Sequence, residues 1–326
     1  MRMRILIDKY DNIYIDVSNF YYRAYSVKTD LSTRLDSGKE ILTGGILISL
    51  KMIEKLEKSF LRDRGKIFFI FDNVHSGENK RKKIDPEYKA NRFKREDSFY
   101  ASLDYFHYLL LNMKDNYVVV KRPGSEADDL VSPLIENSNK NETHLLVSND
   151  KDWFRSISNK VHVAKYENKD YVIYDKEHFE KVNGYEPTSE KICIYKSFRG
   201  DGSDNIPKGV SGLREDDLKY LINNFDSLTE IMKNVDNLEL SDIWKEKIRQ
   251  NRSRILLNYK LVSFDPVPYE ELKQYMFSCK FSPRILKTLY ESLNFDYLKV
   301  DSRMVQYFPK KKNDSSFFVY DKTPRI

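Results

Sequence analysis

The chain has 326 residues, and its 56 Lys and Arg against 50 Asp and Glu leave a formal charge of +6. Hydrophobic content of 40% and charged content of 33% describe a folded, soluble protein of one large or two ordinary domains rather than a disordered one. Cys193 and Cys279 are the only cysteines and have no nearby His partner, which excludes a disulfide framework and a cysteine zinc site and fits a reducing compartment.

Arg2, Arg4, Asp8 and Asp11 stand where a signal peptide needs its apolar core, and no stretch reaches the roughly 18 apolar residues of a membrane span, so a cytoplasmic protein is expected. Buried-strand runs follow at residues 13–17, 67–71, 117–120 and 145–147, with helical periodicity over 45–61 and 98–113 between them. This alternation predicts an α/β fold, a mostly parallel sheet with helices on both faces. Two short runs, 161–164 and 171–174, finish the sheet. After about residue 186 the pattern turns helical, at 189–198, 217–225, 244–261 and 283–293. The expected organisation is an α/β domain over 1–186, a smaller helical domain over 187–308, and a flexible tail over 309–326 carrying the aromatic run 317–320.

Acidic residues mark the ends of these strands. Asp16 closes the first and Asp72 the second; Glu126, Asp128 and Asp129 follow the third, and Asp150 and Asp152 the fourth. In a parallel sheet those ends lie on one edge, where ligands bind. So many carboxylates in one cleft repel each other unless cations or protons intervene, and oxygen ligands suit Mg²⁺ or Mn²⁺. Their number exceeds the needs of one ion, so two ions roughly 4 Å apart are expected. Asp201 and Asp204 complete the set from the helical part. Each acid alone also has a structural explanation, as a helix cap or an Asx turn; acids at all four strand ends favour the metal site. No phosphate loop, dinucleotide glycine fingerprint, G-x-S-x-G or His-Glu-x-x-His occurs.

The positive charge is local. Residues 80–95 hold eight basic and two acidic side chains, with Tyr88 and Phe93 interleaved, which suits a phosphodiester backbone with bases to stack.

At this point the residues resemble a known family. The run from Asp16 to Tyr25, Thr43-Gly44, Asp72 with Arg81 and Pro86 to Arg92, Gly124 to Asp129, Val147 to Asp152, and Gly-Asp-Gly-Ser-Asp-Asn-Ile-Pro at 200–207 look like the successive motifs of the 5′-nuclease superfamily. That superfamily contains flap endonucleases, the 5′-nuclease domain of DNA polymerase I and phage 5′-exonucleases and ribonucleases H; the organisation here is most similar to the stand-alone phage type. The resemblance implies a PIN-like sheet followed by a helix-three-turn-helix DNA-binding element. It implies two Mg²⁺ (or Mn²⁺) held by Asp16, Asp72, Glu126, Asp128, Asp129, Asp150, Asp152, Asp201 and Asp204. One ion would activate the attacking water and the other would stabilise the leaving 3′ oxygen. A basic gateway over 73–97 would supply Arg81, Lys89 and Arg92 as catalytic residues, with Lys89 and Arg92 neutralising charge on the scissile phosphate. Nucleic-acid contacts would come from Lys80, Lys82, Lys83, Tyr88, Lys94 and Arg95, and from Lys208, Gly209, Gly212 and Arg214 at the helical turn. Substrates would be DNA with a 5′ flap or nick and RNA–DNA hybrid, cut to 5′-phosphates during replication and primer removal by a monomer.

The sequence departs from the family after residue 207. An extra Lys208 precedes Gly209, and an acid follows Arg214 where the family carries a lysine, so a K⁺ ion at this turn is left open. Two other readings remain: a PIN-type endoribonuclease, which needs neither basic segment nor helical domain, and a non-catalytic binder of branched nucleic acid, which would have lost ligand carboxylates. The aromatic tail is a possible dock for a sliding clamp or single-strand-binding protein.

Overall fold

In the first strand Ile13 and Ile15 are buried on one face and Tyr14 on the other, so the strand requires cover on both sides. The computed structural model describes residues 9–27, 31–35, 38, 40–73, 80–265 and 267–308. The tail over 309–326 and residues 74–79 of the basic segment lie outside them.

The elements run β1 (Tyr10–Asp16), α1 (Val17–Val27), β2 (Ser32–Arg34), β3 (Glu40–Leu42), α2 (Gly44–Phe60), β4 (Leu61–Phe71), α3 (Lys80–Ile84), α4 (Asp97–Met113), β5 (Tyr117–Lys121), α5 (Ala127–Glu136), β6 (His144–Val147), β7 (Val161–Glu167) and β8 (Asp170–Tyr174). Then come α6 (Lys176–Asn183), α7 (Ser189–Arg199), α8 (Glu215–Asn224), α9 (Leu228–Lys233), α10 (Asp242–Gln250), α11 (Arg252–Val262), α12 (Tyr269–Leu272), β9 (Met276–Ser278), α13 (Pro283–Ser292) and α14 (Tyr297–Val300).

Seven strands form one sheet in the order β8-β7-β6-β1-β4-β5-β9, with β1, β4, β5, β6 and β7 parallel and the two edge strands antiparallel. Chain order runs outward from β1 through β4 and β5, then returns to β6 on its other side. That reversal is a topological switch point, where strand ends diverge and leave a crevice. The four acid-bearing strand ends expected from the sequence are thus consecutive in the sheet: β6, β1, β4, β5.

Helices α1, α2, α4 and α13 cover one face through Phe20, Ile46, Ile53, Phe106 and Tyr290. The other face, with Tyr14, Ile70, Val120 and Leu146, packs on α5 and on the helical region through Ile194, Leu218, Ile231, Ile248 and Ile255. The helices after residue 186 therefore share a core with the sheet.

The chain departs from the expected layout in two places. The helical region does not run uninterrupted to 308: β9 pairs with β5 and α13 packs against α4, so the segment from 276 returns to the sheet. β5 offers an unpaired edge, and a short antiparallel strand covers it. The helix expected over 244–261 is two helices, broken at Asn251, whose side-chain amide donates to the Lys247 carbonyl at 2.8 Å and so ends α10.

Candidate metal centre and its basic rim

Capping and cleft-lining turn out to be compatible roles for the same carboxylates. Asp16 ends β1 and its Oδ1 accepts the Asn19 N–H at 3.1 Å in the first turn of α1, while Oδ2 accepts the Ser148 hydroxyl at 2.7 Å. Asp72 accepts the Ala127 N–H at 2.7 Å, capping α5 from the neighbouring strand. Asp150 accepts from the Asp152 N–H at 2.9 Å and Asp201 from the Ser203 N–H at 2.9 Å. Each cap fixes a carboxylate's direction. The result is one cleft lined by Asp16, Asp72, Glu126, Asp128, Asp150 and Asp152, with Lys89 and Arg92 on its rim. Carboxylate oxygens of Asp152, Asp201 and Asp204 lie within 4.8 Å of one another, close enough to share a cation.

The electrostatics express the crowding. Burial, then repulsion from Asp72, pushes the Asp16 carboxyl up to about 8. Part of Asp150 reaches solvent, yet enclosure by the cleft walls and then Asp152 lift it to about 6. Burial, followed by the charge of Asp129, drives Asp128 upward. Such shifts mark carboxylates that lack enough positive charge among protein groups alone, and an all-oxygen donor set is what hard divalent cations bind. The residues fit divalent-metal dependence.

Asp152 goes the other way. Burial alone would raise it, but Arg155 and Lys196 outweigh that and hold its carboxyl well below the usual range. The Lys196 Nζ sits 2.5 Å from Asp152 and 2.8 Å from Asp201. Arg155 reaches Asp128 at 2.9 Å and also donates to the Val262 carbonyl at the end of α11. Neither cation was singled out from the sequence. For Lys196 a signal existed: it lies on the buried stripe of α7 with Ile192 and Cys193, and lysine is rarely buried without a partner. Arg155 lies in a short 3-10 turn and has no such periodicity to betray it.

The sequence-derived site set separates into groups. Arg81, expected among the catalytic residues of the gateway, is buried: it pairs with both Asp129 oxygens at 2.7 and 2.8 Å and donates to the Leu261 and Ser263 carbonyls at 2.9 and 3.0 Å. Asp129 also accepts the Asp265 N–H at 2.9 Å, so it faces Arg81 and the end of α11 instead of lining the cleft. Consecutive helix positions point about 100° apart, and here Asp128 takes the cleft while Asp129 turns to Arg81. Tyr88, expected as a stacking contact, is buried too; its hydroxyl donates to Glu126 at 3.2 Å and Asp204 at 3.1 Å.

Lys89 and Arg92 line the acidic cleft. Lys89 adopts a left-handed backbone (φ 56°), its N–H donates to the Asp204 carbonyl at 2.8 Å, and its Nζ contacts Glu126 at 2.6 Å. Arg92 contacts Asp204 at 2.6 Å. Burial would lower both, but Glu126 and Asp204 keep Lys89, and Asp204 keeps Arg92, firmly charged. With Asn91 donating to the Gly202 carbonyl and Asn205 to that of Glu87, both at 2.8 Å, the basic segment docks on the 201–206 turn. Lys82, Lys83, Lys94 and Arg95 are exposed, and Lys80 is exposed while pairing with Asp265 at 2.8 Å.

At the turn between α7 and α8, Lys208 and Arg214 are exposed, with Arg214 chelated by Asp217 at 2.8 and 2.9 Å. Gly209 serves a different purpose from the expected approach to phosphate. It is buried, and a Cβ there would lie 2.2 Å from the Ser197 carbonyl oxygen, so its missing side chain lets the turn close on α7. Gly212, exposed at φ 84°, keeps its backbone toward solvent.

Residues 12–184 match the family described as the 5′-3′ exonuclease N-terminal resolvase-like domain. The chain is 30% identical over 240 residues to a 5′-3′ exonuclease of Mycoplasmopsis pulmonis, covering 73% of this chain and 76% of that one. It is 26% identical over 254 residues to DNA polymerase I of Caldicellulosiruptor bescii, covering 77% of this chain but only 28% of the polymerase. Among solved structures, the bacteriophage T5 flap-endonuclease protein crystallised with metal ions superposes with a TM-score of 0.62 at 17% identity, covering 86% of this chain and 99% of that one. The catalytic core of Rad2 in complex with DNA superposes at 0.56 and 15% identity, covering 91% and 93%. Among the described residues, no helix is long and apolar enough to cross a membrane.

Proposed function

The chain belongs to the 5′-3′ exonuclease and flap endonuclease family of metal-dependent phosphodiesterases, and from that membership we propose that it is a structure-specific 5′ nuclease. Its substrates are DNA with a 5′ flap, overhang or nick and RNA–DNA hybrid, its products 5′-phosphates, and its place is primer and flap removal in replication. One observation supports this reading above the others: the acids at four neighbouring strand ends share a cleft with Lys89 and Arg92. A PIN-type endoribonuclease has no need of that rim, and a non-catalytic binder has no need of the intact acid set.

Asp16, Asp72, Glu126, Asp128, Asp150 and Asp152, with Asp201 and Asp204, would hold two Mg²⁺ or Mn²⁺ ions. When bound, such ions supply Lewis-acid stabilisation of phosphoryl charge and a lowered pKa for water. The protein's own part is an exchange of partners. Without substrate, Lys89 and Arg92 neutralise Glu126 and Asp204. A scissile phosphate entering the cleft takes these two cations as charge-assisted donors, and the carboxylates of Glu126 and Asp204 so released would help hold the metal. The left-handed backbone at Lys89 holds its side chain over the cleft at a cost of about 1–3 kcal/mol. Exposed Lys82, Lys83 and Lys94, with Lys208 and Arg214 across the turn, track the phosphates on either side.

The test is cleavage of end-labelled flap, nicked, overhang and RNA–DNA substrates in Mg²⁺, in EDTA, and with an Asp128→Asn, Asp152→Asn double variant. Mg²⁺-dependent release of 5′-phosphorylated products that the double variant fails to give is the expected result; equal cleavage by the variant sinks the assignment. Preference for unstructured RNA without a 5′ end would favour the endoribonuclease reading.

A further inference from the structure

Two buried arginines tie the end of α11 to the start of α5. The last carbonyls of a helix have no partner within it and carry the negative end of its dipole. Here Arg81 donates to those of Leu261 and Ser263, and Arg155 donates to that of Val262. On their far sides the two guanidiniums meet neighbouring acids in the first turn of α5, Arg81 holding Asp129 and Arg155 holding Asp128. The two pairs are built alike, but of the two acids only Asp128 lines the cleft.

Every nitrogen of Arg155 is engaged. Its Nε donates to the Asp152 carbonyl at 3.1 Å, its Nη1 to the Val262 carbonyl, and its Nη2 to Asp128 Oδ2 at 2.9 Å, with the Asp152 carboxylate 3.5 Å away. The Phe264 ring centre lies 3.6 Å from the guanidinium carbon. α11 is itself fixed on its way to this corner, because the Asn258 side-chain amide donates to the Ser197 and Pro207 carbonyls at 3.0 and 2.7 Å. A planar guanidinium held at one edge by a helix end and across its face by a ring has one orientation, and the carboxylate it grips takes its direction from it.

Groups that touch a metal-binding side chain but not the ion orient that side chain, and losing one costs about 10- to 100-fold in metal affinity. We propose that Arg155 is a positioning residue of the metal centre: braced on the end of α11, it holds Asp128 by one oxygen and offers the other to a divalent ion. This deepens the 5′-nuclease reading and rests on it for the ion. A cation beside two acids also repels a metal, so the two effects have opposite signs. The charge is spread over two carboxylates and two carbonyls, which blunts the repulsion, whereas the closest carboxylate contact, and with it the orientation, goes to Asp128. A lysine presents its donors from a single atom on a flexible stem, so it would keep the charge and lose both the fork and the stacking.

The experiment titrates Mn²⁺ into the full chain without nucleic acid, by calorimetry and by the paramagnetic resonance signal of free Mn²⁺, well below each variant's melting temperature in EDTA. Arg155→Lys should weaken Mn²⁺ binding about tenfold, and Arg155→Met by as much. Phe264→Leu removes the stacking ring, leaves every acid and cation of the cleft in place, and should weaken binding on the order of threefold. Wild-type affinity in Arg155→Lys with tighter binding in Arg155→Met means a charge effect and overturns the proposal. Lower melting temperatures with wild-type Mn²⁺ affinity in the folded Arg155 variants mean a purely structural arginine and overturn it too. Where the Arg155 variants do not fold, Phe264→Leu decides, and wild-type affinity there overturns the proposal. Cleavage of a 5′-flap substrate by wild type in Mg²⁺ is run in parallel. Cleavage with unchanged Mn²⁺ affinity in the variants defeats the positioning role alone, while weakened Mn²⁺ binding in variants of a chain that cleaves no nucleic acid defeats the nuclease reading alone.

Discussion

Replacing Arg81 by methionine distinguishes a structural arginine from a catalytic one. In the fold its guanidinium donates to both oxygens of Asp129 and to two carbonyls at the end of α11, all between 2.7 and 3.0 Å and all but the one to Ser263 buried. Methionine fills most of the volume but leaves the Asp129 charge with only the Asp265 N–H, and leaves Glu126 with one cation fewer. Removing one partner of a buried ion pair costs about 3–5 kcal/mol. At about 2–4 °C per kcal/mol for a chain of this order of size, the melting temperature should fall by about 10 °C. Asp129→Asn should destabilise through the same contact, yet leave unchanged the Mg²⁺ concentration for half-maximal cleavage, whereas Asp128→Asn should raise it. The assays are thermal melts in EDTA and single-turnover cleavage well below the variant's melting temperature. If Arg81→Met melts within about 2 °C of wild type while cleavage falls about 100-fold or more, Arg81 touches substrate and the structural assignment fails.

Lys196→Met removes the cation between Asp152 and Asp201, so the variant should be less stable in EDTA by about 3 kcal/mol or more and should gain more melting temperature from Mg²⁺ than wild type does; equal Mg²⁺ increments would contradict this. Asp16 and Asp150 have folded pKa values raised to about 8 and about 6, above the usual carboxylate range. Their protonated forms therefore favour the metal-free fold below about pH 4, and that contribution is lost as pH rises through 6 and then 8. Melts in EDTA should weaken over that window, and Mg²⁺ binding at pH 7 should release protons, seen by calorimetry in buffers of differing ionisation enthalpy; no proton release would refute the shift of Asp16. Gly209→Ala would place a Cβ 2.2 Å from the Ser197 carbonyl oxygen, so the variant should melt several degrees lower and bind duplex more weakly; wild-type melting would show that the turn relaxes at no cost.

The acids at the strand ends, the order of the motifs and the basic excess of 80–95 were legible in the sequence because they are local: a strand run, the next charged residue, a count along a short segment. The parallel sheet followed from the alternation of strand and helix, and it brings Asp16, Asp72, Glu126 and Asp150 to one edge whatever the exact order of strands. Which side of a carboxylate-bearing turn faces the cleft was not local. Asp128 and Asp129 are adjacent in sequence, and only the angular step of α5 and the arrival of Arg81 from another segment send one to the cleft and the other to the end of α11. Tyr88 and Phe93 carry the same composition signal, yet the docking of 85–92 on the 201–206 turn buries one and leaves the other open. Beside near neighbours, Lys196 and Arg155 meet partners that folding brings from other segments, Asp152 at a span of 44 residues for Lys196 and Asp128 at 27 for Arg155. Residue type and local spacing thus determined the chemistry available to this chain. Long-range packing decided which charges meet, because a buried charge is settled by what surrounds it in space, and those neighbours are set by tertiary contact and not by sequence proximity.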